Sequence, residues 1–154
     1  MDIADLVAPK SVIPRLRVTG KKQALLELAR RATVQSGVES GLIYERLVER
    51  EREEPSGIGM GVAILYAKLL GLDRVCGIFA RLERPIPFDA IDDEPVDLVF
   101  LLLSPEGAGE DHLRALARVS RLLRDRVVCE KLRGTENGEA LYVLLTAQSA
   151  ESGA

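Results

Sequence analysis

Along KKQALLELARRATVQSG, residues 21–37, the apolar positions Leu25, Leu28, Ala29 and Ala32 recur at helical spacing, and Gly37 follows as a stop signal. A second helix is expected over residues 40–53, with Ile43, Leu47 and Val48 along one face and Pro55 ending it. Ahead of both, residues 11–18 read as a strand in which Val12, Leu16 and Val18 share a side, and Pro14 suggests a sheet edge. VCGIFARL (75–82) and VDLVFLLLS (96–104) are two further strands. The second is apolar at nearly every position, so both its faces should be covered, as in the centre of an α/β sheet. The prolines and acidic residues of ERPIPFDAIDDEP, between them, exclude a helix. Residues 109–125 carry Leu113, Leu116, Ala117 and Leu123 in an amphipathic helical pattern, and shorter helices are expected at 127–133 and 136–146.

The expected architecture is a single α/β domain over residues 1–148, a mixed central sheet flanked by helices on both faces. Residues 149–154 form a flexible C-terminal tail. A length of 154 residues supports one good core but not two domains. Hydrophobic residues make up 47% and charged ones 29%, which argues for a globular fold and against disorder.

The formal net charge of -3 offers no basic surface for neutralising phosphates, so nucleic acid is not an expected partner. The longest apolar run, around residues 96–103, is strand-sized, and no membrane insertion is expected. MDIADLVAPK lacks a basic leader and a long apolar centre, so a cytoplasmic location fits. Cys76 and Cys129 match no metal or redox spacing and read as small core residues. No metal site and no cofactor are expected.

The remaining chemistry is concentrated in EPSGIGMGVAILYAK, residues 54–68, where three glycines crowd a turn ahead of a short apolar strand. Gly57, Gly59 and Gly61 on alternate positions allow backbone N–H groups to converge on an anion. They equally suit a strand that starts close against another backbone. The loop lacks the Lys-Ser/Thr ending of a Walker motif, and it opens no helix.

Three segments carry a resemblance: EREREEPSGIGMGVAI, then PIPFDAIDDEPVDLVFLLLSPEG, then HLRALARVSRLLRD. The chain resembles a phosphotransferase-system IIA domain of the fructose/mannitol type, in its nitrogen-regulatory branch. The likeness implies a phosphoryl carrier served by a small HPr-like protein. Its regulated partners would be proteins such as potassium transporters or sensor kinases, and it leaves a homodimer open.

In such domains the strand after the glycine loop ends in Ile-Pro-His, whereas this chain has Ile64, Leu65 and Tyr66. The resemblance therefore puts Tyr66 at the acceptor position. It makes His112 the supporting histidine, Arg50 a phosphoryl-oxygen contact, and Ser56 with the glycines a phosphate cradle. On their own these residues have simpler readings. Tyr66 could close a strand end, His112 could be a surface residue, and Arg50 belongs to the charged run ERERE. Lys68 and Asp89 read as surface or turn residues.

The substitution matters chemically. A phenol of pKa about 10 is ionised to roughly one part in a thousand at neutral pH, whereas imidazole offers a neutral nucleophile. The expected function is thus a nitrogen-type regulatory IIA protein unable to take phosphoryl at the usual site. The alternatives are an active phosphoryl carrier and a sugar-transport IIA component.

Overall fold

The computed structural model describes residues 1–152, with side chains as far as Ala147. It contains strands β1 (Val12–Leu16), β2 (Gly57–Gly59), β3 (Val62–Leu69), β4 (Cys76–Ile86) and β5 (Val96–Pro105). Its helices are α1 (Ile3–Leu6), α2 (Lys21–Ser36), α3 (Ser40–Glu53), α4 (Gly109–Leu123), α5 (Arg126–Arg133) and α6 (Gly138–Ser152). Of the tail expected at 149–154, the backbone of residues 149–152 continues α6, while the side chains of those residues and the whole of residues 153 and 154 lie outside the described residues.

The strands form one mixed sheet of order β1-β4-β5-β3-β2. β5 lies at its centre, parallel to β3 and antiparallel to β4, as its unbroken apolar sequence requires. Helices cover both faces. Ala63, Leu65, Ala67 and Leu69 of β3 pack into the core shared with α2 and α3, while Val62 and Ile64 pack into the one shared with α4, α5 and α6. This strict alternation along β3 puts Tyr66 on the α4 side.

α2 ends where Gly37 takes the left-handed conformation, φ 75°. β1 is an edge strand, consistent with Pro14, but its sides are not as the alternation suggests. The register slips between Ile13 and Leu16, so Val12 joins the α4 core while Leu16 and Val18 join the α2 core. β4 continues past residue 82 to Ile86, after another register break.

In α4 the helix is as expected but its buried face is different. His112, Ala115, Val119 and Leu122 point inward, and Leu113 is 65% exposed. A buried hydrogen-bond partner on β5 is what allows a histidine to replace leucine on that face.

Candidate functional site

β2 pairs with β3 only around Ala63 and Val62, so beyond that point the outer edge of β3 carries no strand. α3 runs along this open edge, and α4 begins just after β5 ends. A cleft of about 280 Å3 lies there, bordered by Arg46, Arg50, Tyr66, Lys68 and Glu106. It sits at the carboxyl ends of two parallel strands, the usual place for a site in a sheet of this kind. A larger groove of about 670 Å3 lies elsewhere, against α1, and contains none of the residues expected to act.

Three of those residues meet in one constellation. The Arg50 guanidinium carbon stands 4.3 Å from the centroid of the Tyr66 ring. The His112 ring approaches the same tyrosine edge-on, with centroids 4.8 Å apart and planes inclined at 64°. Arg50 reaches over the sheet edge from α3 and His112 comes from the first turn of α4, so elements from opposite faces converge on Tyr66.

Arg50 does not behave as part of a solvated face. It donates to Glu54 through Nη2, at 3.2 Å, but its Nε is buried without a hydrogen-bond partner. Tyr66 Oη makes no hydrogen bond among the described residues, so the ring is held by its faces and edges.

His112 is 3% exposed, and its Nδ1 lies 2.6 Å from the hydroxyl of Ser104, which is wholly buried on β5. Burial pushes its pKa below the ordinary value, and the positive charges of Lys68 and Arg50 push it further the same way. The imidazole is therefore neutral at pH 7. Lys68, read from sequence as a surface residue, thus lines the cleft and acts on its histidine. Ser104 is missed altogether by sequence reasoning, because a lone serine in an apolar strand gives no signal of its partner.

The glycine turn precedes β3, and Tyr66 is the fifth of that strand's eight residues. A Cβ on Gly57 would meet Ala90 at 2.7 Å, and one on Gly61 would meet the Arg133 guanidinium at 2.5 Å. Gly59 and Gly61 also take positive φ, 100° and 79°. None of the three lines the cleft. Close packing against the 89–97 segment accounts for all of them. Asp92, in that segment, accepts from Met60 N at 2.8 Å and from Glu94 N, and these bonds hold its carboxyl below the usual range.

Ser56 is nearer the site, since its carbonyl accepts from Ile64 N on β3. Its hydroxyl is buried without a partner, and its N–H donates to Glu51 Oε1 at 3.0 Å. Glu51 Oε2 in turn stands 2.5 Å from Lys21 Nζ, a charge contact that lacks hydrogen-bond alignment. Both cysteines are buried, and burial raises their thiol pKa values, which makes them inert core groups.

Residues 5–148 match the family model for the phosphoenolpyruvate-dependent sugar phosphotransferase system, EIIA 2. The chain belongs to that family. A nitrogen regulatory protein of Bradyrhizobium diazoefficiens is 50% identical over 150 residues, 97% of this chain and 98% of that one. A nitrogen regulatory protein of Escherichia coli K12 is 38% identical over 133 residues, 86% of this chain and 82% of its own length. The crystal structure of the nitrogen regulatory protein IIA-Ntr from Neisseria meningitidis superposes with a TM-score of 0.88 at 29% identity, covering 94% of this chain and 99% of that one. Among EIIA 2 proteins, then, this chain is of the nitrogen-regulatory type. Among the described residues, no helix is long and apolar enough to cross a membrane.

Proposed function

We propose that this EIIA 2 protein regulates by protein–protein contact and takes no phosphoryl group at position 66. One observation carries the reading: the Tyr66 ring fills the space between Arg50 and His112, at 4.3 and 4.8 Å. Transfer from an HPr-like donor needs a nucleophilic nitrogen to attack phosphorus as the donor's own N–P bond breaks. A neutral phenol is a poor substitute for that nitrogen, and its ester would hold the group rather than pass it on. The Arg50 guanidinium is also occupied by an aromatic face where a phosphoryl group would need it.

His112 is a poor replacement acceptor. Only 3% of it is exposed, and its Nδ1 is held by Ser104, so its ring is poorly presented to a donor protein. Arg50, Tyr66 and His112 are therefore remnants of a phosphoryl site that now serves as a fixed surface. Ser56 belongs with them through its unpartnered hydroxyl. Gly57, Gly59 and Gly61 shape the hairpin that delivers Ser56 and β3.

The electrostatics favour one fixed state over another. A phosphoryl group would bring close to two negative charges into the cleft, whereas a phenol brings none. Arg46, Arg50 and Lys68 therefore present the field of the unphosphorylated form at all times. Partners that recognise that form, such as potassium transporters or sensor kinases in the cytoplasm, would be engaged irrespective of donor supply.

The test is incubation with a phosphorylated HPr-like carrier bearing isotopic label, followed by acid and base treatment of the product. No label on the natural chain is expected, with transfer regained in the Tyr66→His, Leu65→Pro double variant. Acid-labile label on His112, or base-stable label that disappears in Tyr66→Phe, would overturn the reading.

A further inference from the structure

The net charge of -3 conceals a separation. Residues 114–133 hold seven Lys and Arg against two Asp and Glu, a local charge of +5, so the rest of the chain carries -8. Arg114 pairs with Glu110 and Arg133 with Asp97. Arg121, Arg124, Arg126 and Lys131 have no ion-pair partner among the described residues. Arg126 opens α5, whose N-cap Asp125 accepts from Val127 N and Val128 N through Oδ1.

Of these unpaired cations, Arg124 and Arg126 rim a cavity of about 200 Å3 between α4, α5 and the β2–β3 hairpin, together with Glu130 and the Asp97-paired Arg133. Its floor is apolar: Val62, Leu123 and Cys129 are each at most 4% exposed. Met60 forms one wall and is itself 51% exposed.

Beside Met60, and bonded to its N–H through Asp92, stands the loop 89–94, DAIDDE. It has four acidic residues and no basic one, and it carries Ile91 at its tip, 87% exposed. A basic-rimmed apolar socket and an acid-flanked apolar knob thus lie side by side on one face. That is the arrangement a two-fold interface requires, since each protomer must offer both halves. We propose that a second copy of this chain docks here, with Ile91 of each protomer entering the other's socket and each acidic loop lying against Arg124 and Arg126. This inference is independent of the fate of Tyr66, which lines a different cleft.

The experiment is sedimentation of the full chain from low micromolar to near millimolar concentration. A concentration-dependent dimer is expected, weakened by salt because its rim pairs are solvent-exposed. Ile91→Glu should raise its dissociation constant about tenfold or more. Two charge reversals sharpen the test, Arg124→Glu with Arg126→Glu in the socket, and Asp89→Lys with Asp93→Lys and Glu94→Arg in the loop, which leaves Asp92 bonded to Met60 N and turns four acidic residues into three basic and one acidic. All these side chains are exposed, so circular dichroism should show each variant folded.

Alone, each reversed protein should dimerise poorly. An equimolar mixture should dimerise well, because both contacts of the mixed pair are complementary. A monomer at every concentration would overturn the proposal and leave the socket to an acidic segment of another protein. A dimer indifferent to Ile91→Glu and to the reversals would overturn it equally.

Discussion

Arg50 lies over the face of Tyr66, its guanidinium carbon 4.3 Å from the ring centroid, although the two come from a helix and a strand that bury opposite sides of the sheet. The contact exists because β2 is too short to cover the upper half of β3, leaving an edge that a long side chain can cross.

Tyr66 should contribute through its ring and not its hydroxyl. Tyr66→Phe is expected to change unfolding free energy by no more than about 0.5 kcal/mol, since no hydrogen bond is lost. Tyr66→Ala should cost about 1–3 kcal/mol through lost packing and the lost cation–π contact. Urea denaturation distinguishes the two, and a large loss in Tyr66→Phe would show that the hydroxyl is bonded.

The buried His112 makes stability depend on pH. Its folded pKa lies below the ordinary value of about 6.5, so the unfolded chain binds the proton more readily. Its contribution is fully present above about pH 6.5 and is lost as pH falls from there through the folded value. Melting temperature measured from pH 7.5 downward should fall over that window, and His112→Gln should flatten the slope. Equal slopes in both proteins would rule out this origin.

Two glycines should respond oppositely to alanine. A Cβ at Gly57 would press on Ala90 backbone at 2.8 Å, so Gly57→Ala should cost about 1–3 kcal/mol. Gly20, at the start of α2, has open space around its Cβ direction and extended backbone, so Gly20→Ala should stay within about 0.5 kcal/mol. Thermal melts of the two variants decide it, and a neutral Gly57→Ala would mean the hairpin shifts freely.

Glu51 ties three segments together: α3 that carries it, Lys21 at the start of α2, and Ser56 ahead of β2. Its side chain is 7% exposed. Glu51→Ala should cost about 1–3 kcal/mol, because it leaves the Ser56 N–H unpaired and Lys21 with only the exposed Asp89 carboxylate. Lys21→Met should cost less than Glu51→Ala, as it leaves the bond to Ser56 in place. Amide exchange at Ser56 reports that bond directly, and protection there that survives Glu51→Ala would exclude the carboxylate as its partner.

Much of the fold was legible in the chain because its signals are local. The periodicity of α2, the left-handed Gly37, Pro55 after α3 and the unbroken apolar run of β5 each act within a few residues. The family likeness followed from the same kind of local text. Where reading failed, a distant contact had overridden the local pattern. The slip at Pro14–Arg15 sent Val12 and Leu16 to different cores. On α4, a buried serine eight residues upstream let His112 face inward while Leu113 turned to water.

The sequence alone determined that this is an α/β domain of the EIIA type, since residue identity and short-range spacing suffice for that. Only the tertiary structure decided that Tyr66 is packed between Arg50 and His112, and that the glycines serve the hairpin's contact with residues 89–97. It alone set the acidic loop beside an arginine-rimmed socket. Those are convergences of side chains far apart in the chain, and the order of strands and the exposed edge of β3, which bring them together, depend on how both cores are buried at once.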